Sequence, residues 1–344
     1  MDFANSILAV ILSLLATAVP TVMYALLIWW GDRYEKEPLG LLAVAFVWGA
    51  VPAILISLLA ETLFGVPLAG LQAERLANVL EASAVAPAVE EVAKALALVG
   101  LLLFFRREFD NVLDGVVYGA LVGIGFSMTE NLLYFLSTFL EGGWMGWGVV
   151  VFLRVVLFGL NHAFFTALSG AGLGMARLAR RGCLRWLMPL VGLAAAMTFH
   201  GVHNLGVSLA DVSLGGLLLS LLTNGGGILV LLVVVLLAWR QERQWIETEL
   251  AEEVDRLLTA SEYSAALAYG RRLRLWWAAW RRGGRKEARR QGRVHRLLTE
   301  LAFRKHRLRV LDDERDMALL SDIERLRREI AAQRSEIEET SATA

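Results

Sequence analysis

Cysteine is almost absent from this chain. Its 344 residues include a single cysteine, Cys183, which excludes a disulfide framework or a cysteine-rich metal site within one chain. Lys and Arg are missing from residues 1–6. The apolar run that follows is too long for a cleaved signal peptide, so we interpret it as a first membrane span.

Charged residues are scarce in the first two thirds of the chain. Residues 1–239 hold 11 Lys/Arg and 15 Asp/Glu, whereas residues 240–344 hold 23 and 19. The chain is 56% hydrophobic, and soluble globular proteins lie nearer 45–50%. We therefore predict a transmembrane domain over residues 1–239 and a charged, helical, cytosolic domain over residues 240–344.

Apolar stretches long enough for the roughly 20 residues that a bilayer requires recur along the first domain. They lie at about 7–30, 41–64, 86–105, 112–140, 147–176, 186–210 and 213–239. The sequence thus predicts an all-α fold, a polytopic membrane helix bundle of about seven transmembrane helices with a helical tail. Residues 67–83 have helical periodicity with polar interruptions and are interpreted as an interfacial helix.

Positive charges follow alternate spans. Basic residues follow the first, third, fifth and seventh spans, and the other loops are poor in Lys and Arg. This pattern predicts a multi-pass protein of the cytoplasmic (inner) membrane, with the N-terminus outside and the C-terminus in the cytosol.

The tail has a break at Gly283-Gly284 and an irregular apolar stripe, which favour a helical hairpin or short coiled coil. The stripe comprises Leu297, Leu298, Leu301, Leu308, Leu311, Leu319, Ile323, Leu326 and Ile330. Trp276, Trp277 and Trp280 stand among arginines and could lie on an anionic inner leaflet. A packed helical domain with a solvated charged face is the alternative. We expect the lipid bilayer as a partner of the protein, a cytosolic protein or anionic lipid as a partner of the tail, and no nucleic acid.

Ionisable side chains inside predicted spans are costly and mark functional sites. They cluster here together with asparagines: Glu90, Glu91 and Lys94 in the third span, Asp114, Glu130 and Asn131 in the fourth, Arg154, Asn161 and His162 in the fifth, and His200, His203 and Asn204 in the sixth.

Several of these groups share one depth. Glu91 lies 15 residues before Arg106, and His200 lies 15 residues after Arg185. His162 lies 15 residues before Arg177. At about 1.5 Å per residue, each sits about 22 Å from the cytosolic edge, and Glu130 falls at a similar level. The spacing predicts one polar layer in the outer half of the bilayer.

The residue types in this layer suit hydrolysis of an acyl bond. A carboxylate can take a proton from water, while imidazole and amide groups can transfer protons or stabilise an oxyanion. Glu91, His162 and His200 also form a plausible zinc set with water in the open position. The residues alone do not choose between these schemes, so no cofactor is assigned and zinc stays open.

Four blocks resemble the motifs of the PrsW-type intramembrane proteases, which are related to the CAAX-processing and bacteriocin-processing membrane proteases. Residues 87–94 (PAVEEVAK) resemble the EExxK motif, and residues 114–134 are similar to the fourth-helix motif. Residues 158–162 match FxxxH, and residues 200–204 match HxxxN. The blocks occur in the family's order.

The resemblance implies an intramembrane endoprotease that cuts a single-pass, membrane-anchored substrate such as an anti-sigma factor. It implies that Glu90 or Glu91 activates water, that His162 assists proton transfer, and that His200 with Asn204 holds the oxyanion. His203 replaces an aromatic residue of the family and is either an extra ligand or a packing residue.

Other hypotheses stay open at this stage. Carboxylate–imidazole chains also carry protons in ion-coupled transporters, although no inverted repeat is visible. A non-catalytic sensor or scaffold is a third function. Glu90 and Glu91 could form a structural ion pair with Lys94, and Glu130 could be catalytic or a structural acceptor.

Overall fold

The computed structural model describes residues 3–65, 74–179, 182–210, 212–311 and 317–342. These residues form twelve helices and no strand, which confirms the all-α fold class. The helices are α1 (Phe3–Gly31), α2 (Leu39–Trp48), α3 (Ile54–Gly65), α4 (Glu74–Leu80), α5 (Ala86–Phe104), α6 (Val112–Val151), α7 (Asn161–Leu178), α8 (Leu184–Ala210), α9 (Leu214–Ala251), α10 (Ala260–Ala266), α11 (Tyr269–Leu311) and α12 (Met317–Ala342). Short π-helical segments occupy Gly49–Ala53, Glu81–Val85 and Phe152–Leu157.

The chain forms two compact units. The membrane unit comprises residues 1–32 and 37–235, and the C-terminal unit comprises residues 33–36 and 236–344. Helix α9 belongs to both, because it continues as one helix beyond residue 239, where the sequence changes from apolar to charged.

Five helical stretches are long and apolar enough to cross a bilayer. They are Phe3–Gly31, Leu39–Leu63, Val112–Leu178, Leu184–Ala210 and Leu214–Ala251. Helix α5 is long enough too, but it carries Glu90, Glu91 and Lys94. The chain is thus a multi-pass membrane helix bundle, and the total of seven spans stays a prediction.

Helices α6 and α7 form the centre of the membrane unit. Helix α6 turns at Gly143, whose φ of +58° favours glycine, and Phe139 then packs on Trp144 with ring centroids 4.7 Å apart. Before the turn, Gly119 and Gly123 of α6 face the backbone of Thr166 and His162 with no room for a Cβ atom. Glycine at these two positions thus permits a close approach of α6 and α7.

The fifth predicted span, 147–176, is not one continuous helix in the structure. The helix after the turn ends in the π-helical segment Phe152–Leu157, and α7 begins anew at Asn161. The break at residues 158–160 places the start of α7 inside the bundle, beside His162. Exposed N–H groups at such a helix start favour nearby carboxylates, which periodicity alone did not reveal.

The predicted interfacial helix at 67–83 lies partly outside the described residues. From Glu74 onward the chain is helical, and the π-helical segment Glu81–Val85 joins α4 directly to α5. Pro87 therefore lies inside a continuing helical segment, just after the π-helical turn.

The C-terminal unit has its own apolar core. Ile246 and Leu250 of α9 pack with Leu298 and Leu301 of α11, and Leu326 of α12 completes this core. The break in α11 falls at Gly283 and Gly284, where Gly284 has a φ of +65°. The segment between α11 and α12 includes residues 312–316, which lie outside the described part of the chain.

Candidate active site

Lys94 is the centre of a buried polar cluster. Its ammonium nitrogen Nζ donates to Glu90 Oε2 at 3.0 Å and to Glu91 Oε1 at 2.8 Å. It also lies 3.0 Å from His162 Nδ1, and 3.7 Å from the centroid of the Phe126 ring. Because Glu90 and Glu91 precede Lys94 by four and three residues on α5, one helix turn supplies both carboxylates.

Lys94 also fixes the tautomer of His162. An ammonium group only donates, so His162 Nδ1 accepts and the ring proton resides on Nε2. His162 Nε2 lies 2.8 Å from Glu130 Oε2, and Glu130 is in turn paired with Arg154. Arg154 therefore meets a carboxylate, and its guanidinium lies 4.0 Å from the centroid of the Tyr134 ring.

Glu91 orients the second imidazole. His200 Nδ1 lies 3.1 Å from Glu91 Oε1, and the Thr166 hydroxyl donates to Glu91 Oε2 at 3.1 Å. This leaves His200 Nε2 turned toward Glu90, with 3.9 Å between Nε2 and Oε2. Three helices, α5, α7 and α8, thus bring Glu90, Glu91, His162 and His200 together, and α6 adds Glu130.

A cavity of about 500 Å³ opens onto this cluster. Glu90, Glu130, His162 and His200 line it, whereas Glu91 does not. The side chain of Glu91 is 0% exposed and that of Glu90 is 8% exposed. Only one carboxylate of the adjacent pair is therefore accessible from the cavity.

Asn204 lines the same cavity. One amide hydrogen of Asn204 is donated to the Ala82 carbonyl at 2.9 Å, and that carbonyl belongs to the π-helical segment before α5. The second amide hydrogen remains for another acceptor.

His203 lies outside the Glu90–His200 group. Its Nε2 lies 2.9 Å from Asn161 Nδ2, and its Nδ1 lies 2.6 Å from the Ser220 hydroxyl. The ring also packs edge-on against Phe158, with centroids 4.8 Å apart. The structure therefore shows His203 as a hydrogen-bonding residue that positions Asn161, and it does not bring His203 to the other two imidazoles as a ligand.

The sequence reasoning missed several groups at this site. Thr166 follows His162 by four residues, so the spacing could have revealed it. Glu61 of α3, a lone carboxylate in an apolar helix, also lines the cavity. Ser220 gave no signal, because an isolated serine in a long apolar helix is common.

The cluster offers the donor types that zinc prefers. Glu90, Glu91, His162 and His200 each present one ligand atom, and these atoms lie within 4.8 Å of one another. Carboxylate and imidazole are common ligands of catalytic zinc. Lys94 Nζ lies against three of the four residues, so a bound metal would need this ammonium group to move.

A multi-pass helical protein with a cavity of about 500 Å³ that opens onto buried Glu and His side chains fits the class of membrane-embedded hydrolases. The model of the family "PrsW family intramembrane metalloprotease" matches residues 37–242, well over half of the chain. The chain therefore belongs to the PrsW family of intramembrane proteases, and it is a peptidase.

Individual relatives agree with this family. The chain is 30% identical to Protease PrsW of Geobacillus kaustophilus over 180 residues, covering 50% of this chain and 69% of that protein. It is 26% identical to Protease PrsW of Halalkalibacterium halodurans over 201 residues, covering 56% and 82%. The chain is 35% identical to Protease PrsW of Clostridioides difficile, over 31% of this chain and 43% of that protein. No solved structure matches the chain significantly.

The family membership confirms the protease hypothesis rather than the transporter or scaffold hypotheses. The family match ends at residue 242, so most of the C-terminal unit lies outside it.

Proposed function

We propose that this protein hydrolyses a peptide bond in or near the membrane-spanning part of a single-pass protein, with Glu90 as the base that activates water. One observation carries the choice of Glu90: it is the carboxylate of the pair that lines the cavity. Glu91 is enclosed and already engaged by Lys94, His200 and Thr166.

The charges of the cluster support this role. Glu90 and Glu91 carry two negative charges and Lys94 carries one positive charge, so one carboxylate remains uncompensated. Glu91 accepts hydrogen bonds on both oxygens, whereas Glu90 accepts one from Lys94 and lines the cavity.

The reaction then follows from the positions of the remaining groups. Glu90 takes a proton from water, the hydroxide forms a C–O bond with the scissile carbonyl, and the C–N bond breaks as the proton passes to the amine. His162, held by Lys94 and Glu130, assists this proton transfer. His200, oriented by Glu91, and the second amide hydrogen of Asn204 stabilise the oxyanion.

The metal-dependent form of this chemistry uses the same residues. Glu90, Glu91, His162 and His200 would hold the ion, which would polarise the carbonyl and activate water when bound. Metal analysis of the purified protein distinguishes the two forms. If Glu90 alone activates water, the protein is fully active without stoichiometric metal. If a metal is required, the purified protein contains zinc, and a His162→Ala/His200→Ala variant loses it.

The substrate class and topology belong to the same proposal. The polar layer lies in the outer half of the bilayer when the basic loops face the cytosol. Anti-sigma factors with one span and an extracytoplasmic region present a peptide bond at this depth. The protein then lies in the cytoplasmic membrane, with its N-terminus outside the cell and its C-terminus in the cytosol.

The role of Glu90 is tested by isosteric substitution. The protein is co-expressed with doubly tagged single-pass anti-sigma factors from its own organism, and cleavage is followed by immunoblot. Glu90→Gln is expected to lower cleavage by about 100-fold or more without changing the thermal unfolding midpoint. Glu141→Gln, the same change at an exposed position of α6, serves as the matched control and retains cleavage. More than a tenth of the parent activity in Glu90→Gln would overturn the assignment.

A further inference from the structure

The first part of α11, residues 269–282, carries a row of exposed aromatic and apolar side chains. Tyr269, Leu273, Trp277 and Trp280 are 38%, 45%, 46% and 46% exposed. At about 100° per residue, these four positions and Trp276 fall within one arc of roughly 100°. A contiguous apolar stripe of this kind on a protein surface marks an interaction site.

The opposite side of the same helix segment is basic. Residues 269–282 contain five arginines and no acidic residue. Four of them are exposed: those at positions 271 and 282 lie opposite the aromatic stripe, and those at 274 and 281 lie beside it. Within the described part of the chain, none of these four forms an ion pair. Their charges are therefore available to an anionic partner.

The fifth arginine contacts other residues of the C-terminal unit. Arg272 donates to the Arg33 carbonyl at 3.2 Å and to the Thr299 hydroxyl at 3.3 Å. Arg33 follows the end of α1 by two residues, and its guanidinium lies 3.5 Å above the ring of Trp239.

Trp239 itself marks a membrane boundary. It is the position at which the apolar part of α9 gives way to charged residues, and tryptophan is enriched at the membrane–water interface. Within the C-terminal unit, the start of α11 is therefore joined to residues that directly follow apolar spans in the chain.

We propose that residues 269–282 form an interfacial helix that binds anionic phospholipid headgroups. Leu273, Trp277 and Trp280 enter the boundary between headgroups and acyl chains, and the flanking arginines contact lipid phosphates. A lipid surface is favoured over a protein partner because the exposed charge is of one sign and continuous along the helix. This surface lies outside the family match, so the proposal is independent of the proteolytic chemistry.

The test uses the full-length protein with Cys183→Ser and one new cysteine that carries an environment-sensitive fluorophore. One variant has Trp277→Cys on the stripe, and its matched control has Ala278→Cys, the adjacent exposed position on the arginine side. Both are placed in nanodiscs of phosphatidylcholine alone, or of phosphatidylcholine and phosphatidylglycerol in equal parts. In the anionic discs, spin-labelled lipid is expected to quench the label at 277, and aqueous iodide the label at 278.

The basic residues are tested in the same variant. Raising the salt concentration, or adding Arg274→Gln, Arg281→Gln and Arg282→Gln, is expected to return the label at 277 to water. An unchanged thermal unfolding midpoint checks that the triple variant is folded, and the salt series needs no substitution.

Three results would overturn the proposal. A label at 277 that iodide quenches in anionic discs would show an aqueous helix. A label that neither quencher reaches would show a protein surface covering the stripe. Equal quenching by lipid in both kinds of disc would show that anionic headgroups are not the ligand.

Discussion

At the scale of single residues, Lys94 joins the two carboxylates of α5 to the imidazole of His162. It is fully buried and is bonded to two carboxylates and one imidazole. Burying a charge inside a bundle is tolerated only when partners surround it. Lys94 thus allows Glu90 and Glu91 to coexist one residue apart in a membrane helix.

Removing the Lys94 charge should therefore destabilise the fold. We expect Lys94→Met to lower the free energy of unfolding by about 3–5 kcal/mol, because two buried carboxylates lose their counterion. Chemical unfolding in detergent measures this change. Adding Glu91→Gln removes one of the unpaired charges and should recover part of the loss. A double variant no more stable than Lys94→Met alone would contradict this electrostatic account.

At the scale of elements, the close approach of α6 and α7 sets the geometry of the site. Gly123 faces the His162 backbone, where a Cβ atom would overlap the carbonyl group. Any side chain at Gly123 must push α7 away from α6, and this separates His162 from Glu130, its partner at 2.8 Å.

Gly123→Ala should therefore reduce cleavage more than the same substitution at a position with free space around it. We expect a loss of about 100-fold, the usual cost of displacing a catalytic group by about 1 Å. Gly142→Ala is the matched control, because a Cβ atom there has nothing within 4 Å. Cleavage and membrane insertion are compared for both variants. Equal activity would show that the helix spacing does not control His162.

At the scale of the whole molecule, the C-terminal unit should respond to acid through His295. His295 is 2% exposed, and burial together with the nearby Arg272 lowers the pKa of His295 to about 4. The unfolded chain has a His pKa near 6.5, so it binds protons that the folded unit does not. The contribution of neutral, buried His295 to the stability of the folded unit is therefore complete above about pH 6.5, and it decreases as the pH falls toward 4.

Between pH 7 and pH 5, the protonation of His295 in the unfolded chain lowers the free energy of unfolding by about 2 kcal/mol. Hydrogen exchange of the amides around Leu298 and Leu326 in the full-length protein measures it. His295→Gln, which cannot titrate, should reduce the pH dependence by this amount. An identical pH profile in the variant would show that another group is responsible.

The sequence by itself determined the class of this protein and most of its polar layer. Apolar stretches of spanning length require helices in a bilayer, because backbone groups there must be bonded within the segment. Spacing along those helices placed Glu90, Glu91, His162 and His200 at one depth, since helix rise is constant. The motif resemblance identified the family before any geometry was known.

Only the tertiary structure decided which groups meet and in what roles. The break before Asn161, the accessibility of Glu90 and not Glu91, and the pairing of Glu130 with Arg154 depend on how helices rotate and pack. Periodicity gives the depth of a residue and its helix face, but it does not give the neighbour that this face meets. The contacts of Lys94 with His162, and of His203 with Asn161 and Ser220, join different helices, so they became visible only in the folded chain.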